Sequence, residues 1–376
     1  MTRVVGIDPG TVSLDVCGRD GDALFLDETF STAAVGDDPG VLLECLQAAG
    51  PLDLVVGPSG YGLPWIDARD VGATELDLLL LADAEDGPRG TIVSGMGRLV
   101  TALKASGLPV CFSPSVAHLP TVPDHRKVNR IDMGTADKLC AVALGVWDQA
   151  RRLGVPYSAT SFVFVEIGGA FTAVISVDGG AVVDGAGGTS GAPGLRAMGA
   201  MDGELAYLLR DFSKDVLVSG GAAWVCGDPA CTPDDLVAAA AEGGRAAVAL
   251  DALLEGVEKQ VAAQMTVLEA PREILLSGRA SRVPEIHRLL AERLSRFAPV
   301  TRVGGFAAVA SEAAQGAALL GLGLAGDADL EELVDALQAR SASGSVLDHL
   351  YVSETESLRR RRPSAGRTPA PFWERS

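Results

Sequence analysis

Asp8 and Glu166 are the residues from which chemistry can be read most directly. Each ends an apolar run, Val4-Val5-Gly6-Ile7 before Asp8 and Val163-Phe164-Val165 before Glu166, and each is followed by glycine and a hydroxyl. Gly10 and Thr11 follow Asp8; Gly168, Gly169 and Thr172 follow Glu166. A strand that ends in a carboxylate and turns on glycine exposes backbone N–H groups to phosphate oxygens, while the carboxylate can hold hydrated Mg²⁺. Two such tips facing each other would grip a nucleoside triphosphate from both sides, with Asp8 and Glu166 as the metal-holding groups. The pattern predicts a two-lobed enzyme that uses ATP and Mg²⁺.

Two more glycine-bearing stretches extend it. Gly185-Ala186-Gly187-Gly188-Thr189-Ser190-Gly191 allows close backbone approach to a ligand, with Gly187 and Gly188 at its centre. Ile274-Leu275-Leu276-Ser277-Gly278 reads as a buried strand ending at a helix mouth, and Ser277 and Gly278 would face an adenosine. The charged groups for catalysis crowd into Asn129-Arg130-Ile131-Asp132-Met133-Gly134-Thr135-Ala136-Asp137-Lys138. Arg130 would neutralise a transferring phosphoryl, Asp132 would serve as general base or metal ligand, and Lys138 is the third charge of the set. The plainer reading of the same stretch is a helix start capped by Thr135, with Asp137 serving the dipole. Ser59 and Tyr61, in Pro58-Ser59-Gly60-Tyr61-Gly62, follow a buried strand and are the substrate-pocket candidates.

The elements that must position these residues repeat. Strand pattern at 3–8, 12–19 and 23–27, then alternating helix and strand, returns at 161–167, 171–177 and 181–184. A long amphipathic helix is expected over 135–153, broken by Gly154-Val155-Pro156, and another over 307–322. We expect a first lobe over 1–155, a second over 156–339 and, from the Ser-, Arg- and Pro-rich composition, a disordered tail over 340–376.

At 376 residues, 48% of them hydrophobic, the chain can bury two cores. Its net charge of −18 argues against nucleic acid as a partner. No apolar run reaches the roughly 18 residues of a membrane span. Strand pattern begins at Arg3 without a signal-peptide core, which predicts a cytoplasmic protein. Of the six cysteines, Cys226 and Cys231 share a loop-like segment and are the one candidate zinc or redox pair.

Asp8-Pro9-Gly10-Thr11-Val12-Ser13 resembles the opening Asn-Pro-Gly-Ser-x-Ser of acetate and butyrate kinases, and Glu166-Ile167-Gly168-Gly169-Ala170-Phe171-Thr172 is similar to their His-Leu-Gly-Gly-Gly-Ile-Ser. Leu276-Ser277-Gly278 resembles their adenosine loop, and Val182-Val183-Asp184 before the glycines sits where they carry Val-Asp. The whole looks most like a group of mainly archaeal proteins described as predicted butyrate kinases, which share the stretches at 58–62 and 129–138. The resemblance covers roughly residues 3–325. It implies an α/β, two-lobed actin-like (ribonuclease H-like, duplicated) ATPase fold with an interlobe nucleotide cleft, and a homodimer. It also implies that Arg196 stands near a second acceptor-binding arginine. Asp8 replaces the family's Asn and Glu166 its His, changes that move the chain toward sugar kinases and Hsp70.

The expected reaction is transfer of the ATP γ-phosphoryl to the carboxylate or hydroxyl of a small metabolite, a short-chain carboxylic acid among the candidates. The alternative reading is an ATPase switch that controls a partner protein through lobe closure. A nucleotide-binding module without turnover is the third.

Overall fold

A computed structural model describes residues 2–58, 60–81 and 91–357. The first lobe is built on β1 (Arg3–Pro9), β2 (Ser13–Asp20), β3 (Ala23–Ser31), β4 (Leu54–Pro58), β5 (Ile66–Asp67) and β6 (Val110–Ser113), in the order β3-β2-β1-β4-β6-β5. The second is built on β7 (Ser161–Ile167), β8 (Thr172–Asp178), β9 (Ala181–Ala186), β10 (Glu273–Ser277) and β11 (Val300–Arg302), in the order β11-β10-β7-β8-β9. In both sheets a central strand pairs antiparallel with the strand that follows it and parallel with a later one: β1 with β2 and β4, β7 with β8 and β10. The repeat read in the sequence is thus a repeat of topology. Among the described residues no helix is long and apolar enough to cross a membrane.

Strand parity decides where the carboxylates point. Side chains alternate between sheet faces. Val4 of β1 and Phe162 and Phe164 of β7 belong to a core shared by both sheets, whereas Val5, Ile7, Val163 and Val165 face the outer helices of their own lobes. Asp8 has the parity of Val4, and Glu166 that of Phe162 and Phe164, so both carboxylates turn toward the shared core. Two helices fill that core, Ala136–Leu153 and Glu312–Leu324, the second buried from Ala313 to Leu324. Each fully buried leucine there stabilises the fold by about 1.5–3 kcal/mol relative to exposure.

The Ala136–Leu153 helix follows its expected limits. Asp137 occupies its first turn, Arg151 and Arg152 its last, and Gly154 ends it in the left-handed conformation. The helix expected over 307–322 starts later. The Asp27 carboxylate accepts from the backbone N–H groups of Ala308, Val309 and Ala310, holding them in a loop, and Ser311 caps the helix by accepting from Ala314 N at 3.2 Å. This helix, grouped with the second lobe by sequence position, lies against β1, and its Ala314 and Ala318 pack with Cys17 of β2.

Residues 340–357 correct the expected tail. Val346, Leu347 and Leu350 are buried in the first-lobe core. Asn129 anchors them, its N–H donating to His349 O at 2.8 Å and its Oδ1 accepting from Tyr351 N at 2.7 Å. Averaged composition hid three apolar residues at interior spacing. Residues 358–376 lie outside the described residues, as does Ser59.

Candidate functional site

The two hairpin tips meet. A Cβ built on Gly169 would lie 3.3 Å from Val12 Cγ2 and 3.7 Å from Thr11 Oγ1, so the β7–β8 turn faces the β1–β2 turn at van der Waals range. Between the lobes runs a cleft of about 400 Å³. Of the residues singled out by sequence, Asp8, Gly10, Thr11, Tyr61, Asp132, Lys138, Glu166, Gly168, Gly169, Gly188 and Gly278 line it.

Lys138 stands at its charged centre. Its Nζ donates to Glu166 Oε1 at 2.5 Å and pairs with Asp137 Oδ2 at 2.7 Å, joining the first turn of the central helix to the second hairpin tip. Thr135 occupies the N-cap position but does not cap; its Oγ1 donates to Asp137 Oδ1 at 2.5 Å. Asp8 is fixed from another side, its Oδ2 accepting from Ser311 Oγ at 2.7 Å. Burial, with Asp137 close by, pushes the Asp8 carboxyl up to about 8. Burial also raises Glu166, whereas the two neighbouring carboxylates hold the Lys138 ammonium well above its ordinary value.

The charge of this set suits a hydrated divalent cation, although among the described residues no group of three carboxylates is placed to ligate one directly. Asp8, Asp137 and Glu166 against one ammonium leave two negative charges in excess when all are ionised, and Glu166 Oε2 is buried without a partner among the described residues. Carboxylate oxygens can hold Mg²⁺ through its waters.

Asp132, expected as general base or metal ligand, is engaged by the glycine-rich turn. Its Oδ2 accepts from both Thr189 N and Thr189 Oγ1 at 2.9 Å, and its Oδ1 from Gly134 N at 3.2 Å. Its backbone carbonyl accepts from Gly187 N and Ser190 Oγ. It therefore staples the glycine-rich turn to the first lobe. A Cβ on Gly187 would come within 1.7 Å of Asp132 Oδ1, which is why that position has no side chain.

Several expected residues lie elsewhere. The Arg130 guanidinium, expected at the phosphoryl, donates to Gly185 O at 2.7 Å and pairs with Asp184 at 3.5 Å, beside β9 and outside the cleft lining. Thr172 has the parity of Val174, which faces the outer core, and its hydroxyl donates to Pro193 O at 3.1 Å. Arg196 is held by its backbone against Ala170, and its side chain does not reach the cleft lining. Ser277 is the register partner of Glu166 but is buried behind the cleft wall. Gly278 completes that wall; its φ of +84° and a hypothetical Cβ 2.5 Å from Ile167 O both require glycine. Gly187 supports the turn while Gly188 lines the cleft.

Sequence reasoning missed Asp137 as a cleft carboxylate, Ser311, Thr189 and Lys214. Ser311, preceding Glu312 and an apolar run, carried a helix-start signature that could have flagged it. Lys214 carried none. It reaches the carbonyls of Leu80 and Leu81 across the cleft and lies 4.6 Å from the Tyr61 ring centroid. The Tyr61 hydroxyl bonds Thr189, and burial beside Asp132 raises it. Leu79, Leu80, Met96, Leu217 and Val218 make this end of the cleft apolar. Cys226 and Cys231 lie apart from the cleft, and among the described residues no His, Cys, Asp and Glu cluster holds metal-binding geometry.

Solved structures share this architecture. A propionate kinase from Francisella tularensis is similar with a TM-score of 0.60 at 13% identity, covering 84% of this chain and 99% of its own. The acetate kinase of Porphyromonas gingivalis is similar at 0.56 and 12%, covering 79% and 88%. A ROK family protein from Streptococcus pneumoniae is similar at 0.50 and 13%, covering 85% and 98%. These likenesses establish an α/β, two-lobed actin-like ATPase fold. No curated protein matches the chain. The family described as "Protein of unknown function (DUF1464)" matches residues 6–352, and the chain belongs to it.

Proposed function

We propose that the chain is an ATP- and Mg²⁺-dependent kinase that phosphorylates a small metabolite, with a short-chain carboxylic acid as the favoured acceptor. The observation that carries this reading is the convergence of two carboxylate-tipped, glycine-turned hairpins on one cleft around Lys138. Asp8 and Glu166 would hold the hydrated Mg²⁺, which supplies charge neutralisation along the polyphosphate. Thr11, Gly169 and Gly188 would offer backbone and hydroxyl donors to the phosphates, Gly10 and Gly168, whose N–H groups bond Asp8 O and Phe171 O, would allow close approach, and Gly278 would admit the adenosine. Lys138 links the lobes and favours the charged forms of Asp137 and Glu166 against the burial that opposes them. Ser311 aims Asp8, while Asp132 positions Thr189 and the glycine turn rather than removing a proton. Arg130 and Arg196 have no part in this reading.

The acceptor would lie beside Tyr61, Thr189 and Lys214, against Leu79, Leu80, Met96, Leu217 and Val218. An alkyl carboxylate satisfies such a wall, whereas a polyol would leave hydroxyls unpaired against apolar carbon. Propionate and acetate kinases among the structural likenesses agree with that choice. The setting we infer is cytoplasmic, where ATP and free Mg²⁺ are supplied.

Mg²⁺-ATP turnover against short-chain acids, sugars and polyols, with Asp8→Ala as control, tests the proposal. Stimulation by one acid that Asp8→Ala abolishes is the expected result. ATP binding without stimulation by any acceptor would overturn the kinase reading in favour of an ATPase switch.

A further inference from the structure

Lys138, Lys214, Arg279 and Arg282 are the cationic side chains that line the cleft among the described residues. Three of them are already engaged by strong acceptors. Lys138 is held by Asp137 and Glu166, Arg282 donates to Glu312 Oε1 at 2.9 Å, and Lys214 binds two helix-end carbonyls. Arg279 is different. Among the described residues it makes no ion pair, and its side-chain hydrogen bond runs from Nη2 to Ser13 Oγ at 3.0 Å.

That bond crosses the cleft. Arg279 follows Gly278 just past the end of β10 in the second lobe; Ser13 opens β2, immediately after the first hairpin tip. Ser13 also donates to Asp15 Oδ2 at 3.3 Å, so its hydroxyl is shared between an acid and the guanidinium. A guanidinium carries five N–H donors in a planar fork, and one hydroxyl leaves most of them unmatched by protein. Meanwhile Asp8, Asp15, Asp132, Asp137, Glu166, Asp215 and Glu312 outnumber the cleft cations. A polyphosphate entering that field needs a cation whose charge is not already neutralised.

We infer that Arg279 is the polyphosphate-reading residue of this cleft: it leaves Ser13 and takes the β- or γ-phosphate oxygens through its planar fork. The inference rests on reading the cleft as an ATP site and adds what distinguishes ATP and ADP from AMP. Bidentate pairing with phosphate is the geometry that arginine serves better than lysine. The Ser13 bond is the resting position of the fork, bridging the lobes on the line that the phosphates would occupy.

Calorimetric titration of the full chain with ATP, ADP and AMP, with Mg²⁺ present, tests this on wild type, Arg279→Ala, Arg279→Lys and Ser13→Ala. Arg279 is exposed, so its variants should fold, and thermal unfolding checks that they do. The expected result is that Arg279→Ala weakens ATP about 10- to 100-fold, the range of a hydrogen bond to a charged group. AMP should bind unchanged, and Arg279→Lys should recover part of the loss. Ser13→Ala should leave ATP affinity intact or improved, because it frees the guanidinium from its resting partner and costs besides only the 3.3 Å bond to Asp15. Equal ATP affinity in wild type and Arg279→Ala, or an equal loss for AMP and ATP, overturns the inference while leaving the ATP site standing. A wild type that binds no adenine nucleotide overturns both.

Discussion

Ser311 Oγ donates to Asp8 Oδ2 at 2.7 Å and accepts from Ala314 N at 3.2 Å, so one hydroxyl both starts the Glu312–Leu324 helix and aims the first-tip carboxylate. Ser311→Ala should therefore act on two measurements together. Loss of the cap should lower unfolding free energy by about 1 kcal/mol in urea titration. Turnover should fall by more than the folded fraction accounts for, because Asp8 loses its one hydroxyl partner among the described residues. Ser311→Thr keeps the hydroxyl and should restore both.

Lys138 should be intolerant of neutral replacement. Lys138→Met leaves Asp137 and Glu166 facing each other without their shared cation, at side-chain exposures of 24% and 11%. Breaking such a pair from one side costs about 3 kcal/mol or more. Denaturant titration should report that loss. Added Mg²⁺ should recover part of it, since the excess negative charge grows when the ammonium is removed.

Acid should expose His118. Its ring is buried, accepts at Nδ1 from Ser115, and is pushed down to about 4 by burial and then by Lys127. Above its ordinary value of 6.5 the ring is neutral in both states and contributes no pH dependence. Between 6.5 and 4 the unfolded chain takes up a proton that the folded chain refuses, so stability falls with pH by up to about 3 kcal/mol. His118→Gln should flatten the wild-type curve over that window, as read by urea unfolding at pH 7 and pH 4.5. An unchanged slope would show that His118 has no such role.

Gly187→Ala should disrupt the staple between the lobes. A methyl would meet the Asp132 carboxylate, so Asp132 or the turn must move, at about 1–3 kcal/mol. Loss of Thr189 from its Asp132 partner should follow, and a rise in KM for the acceptor should exceed any fall in kcat.

The residue pattern by itself determined the hairpins, their glycine tips and the carboxylates that end them, because period-two alternation and turn chemistry are local. It also determined the central helix from Ala136 to Gly154, whose start, charges and stop all lie within its own span. It did not determine which sheet face each strand residue meets. Thr172 and Glu166 both looked like tip residues, yet parity sends Glu166 to the shared core and Thr172 to Pro193. Arg130 and Asp132 looked like free catalytic charges, and only the approach of β9 and the glycine turn engages them. Val346, Leu347 and Leu350 read as part of a tail until the first-lobe core is assembled around them. The site's decisive contacts, Asp8 with Ser311, Lys138 with Glu166 and Arg279 with Ser13, join residues far apart along the chain. Local pattern sets an element's shape and faces, but which distant side chain meets a given face follows from how both sheets pack on the two central helices.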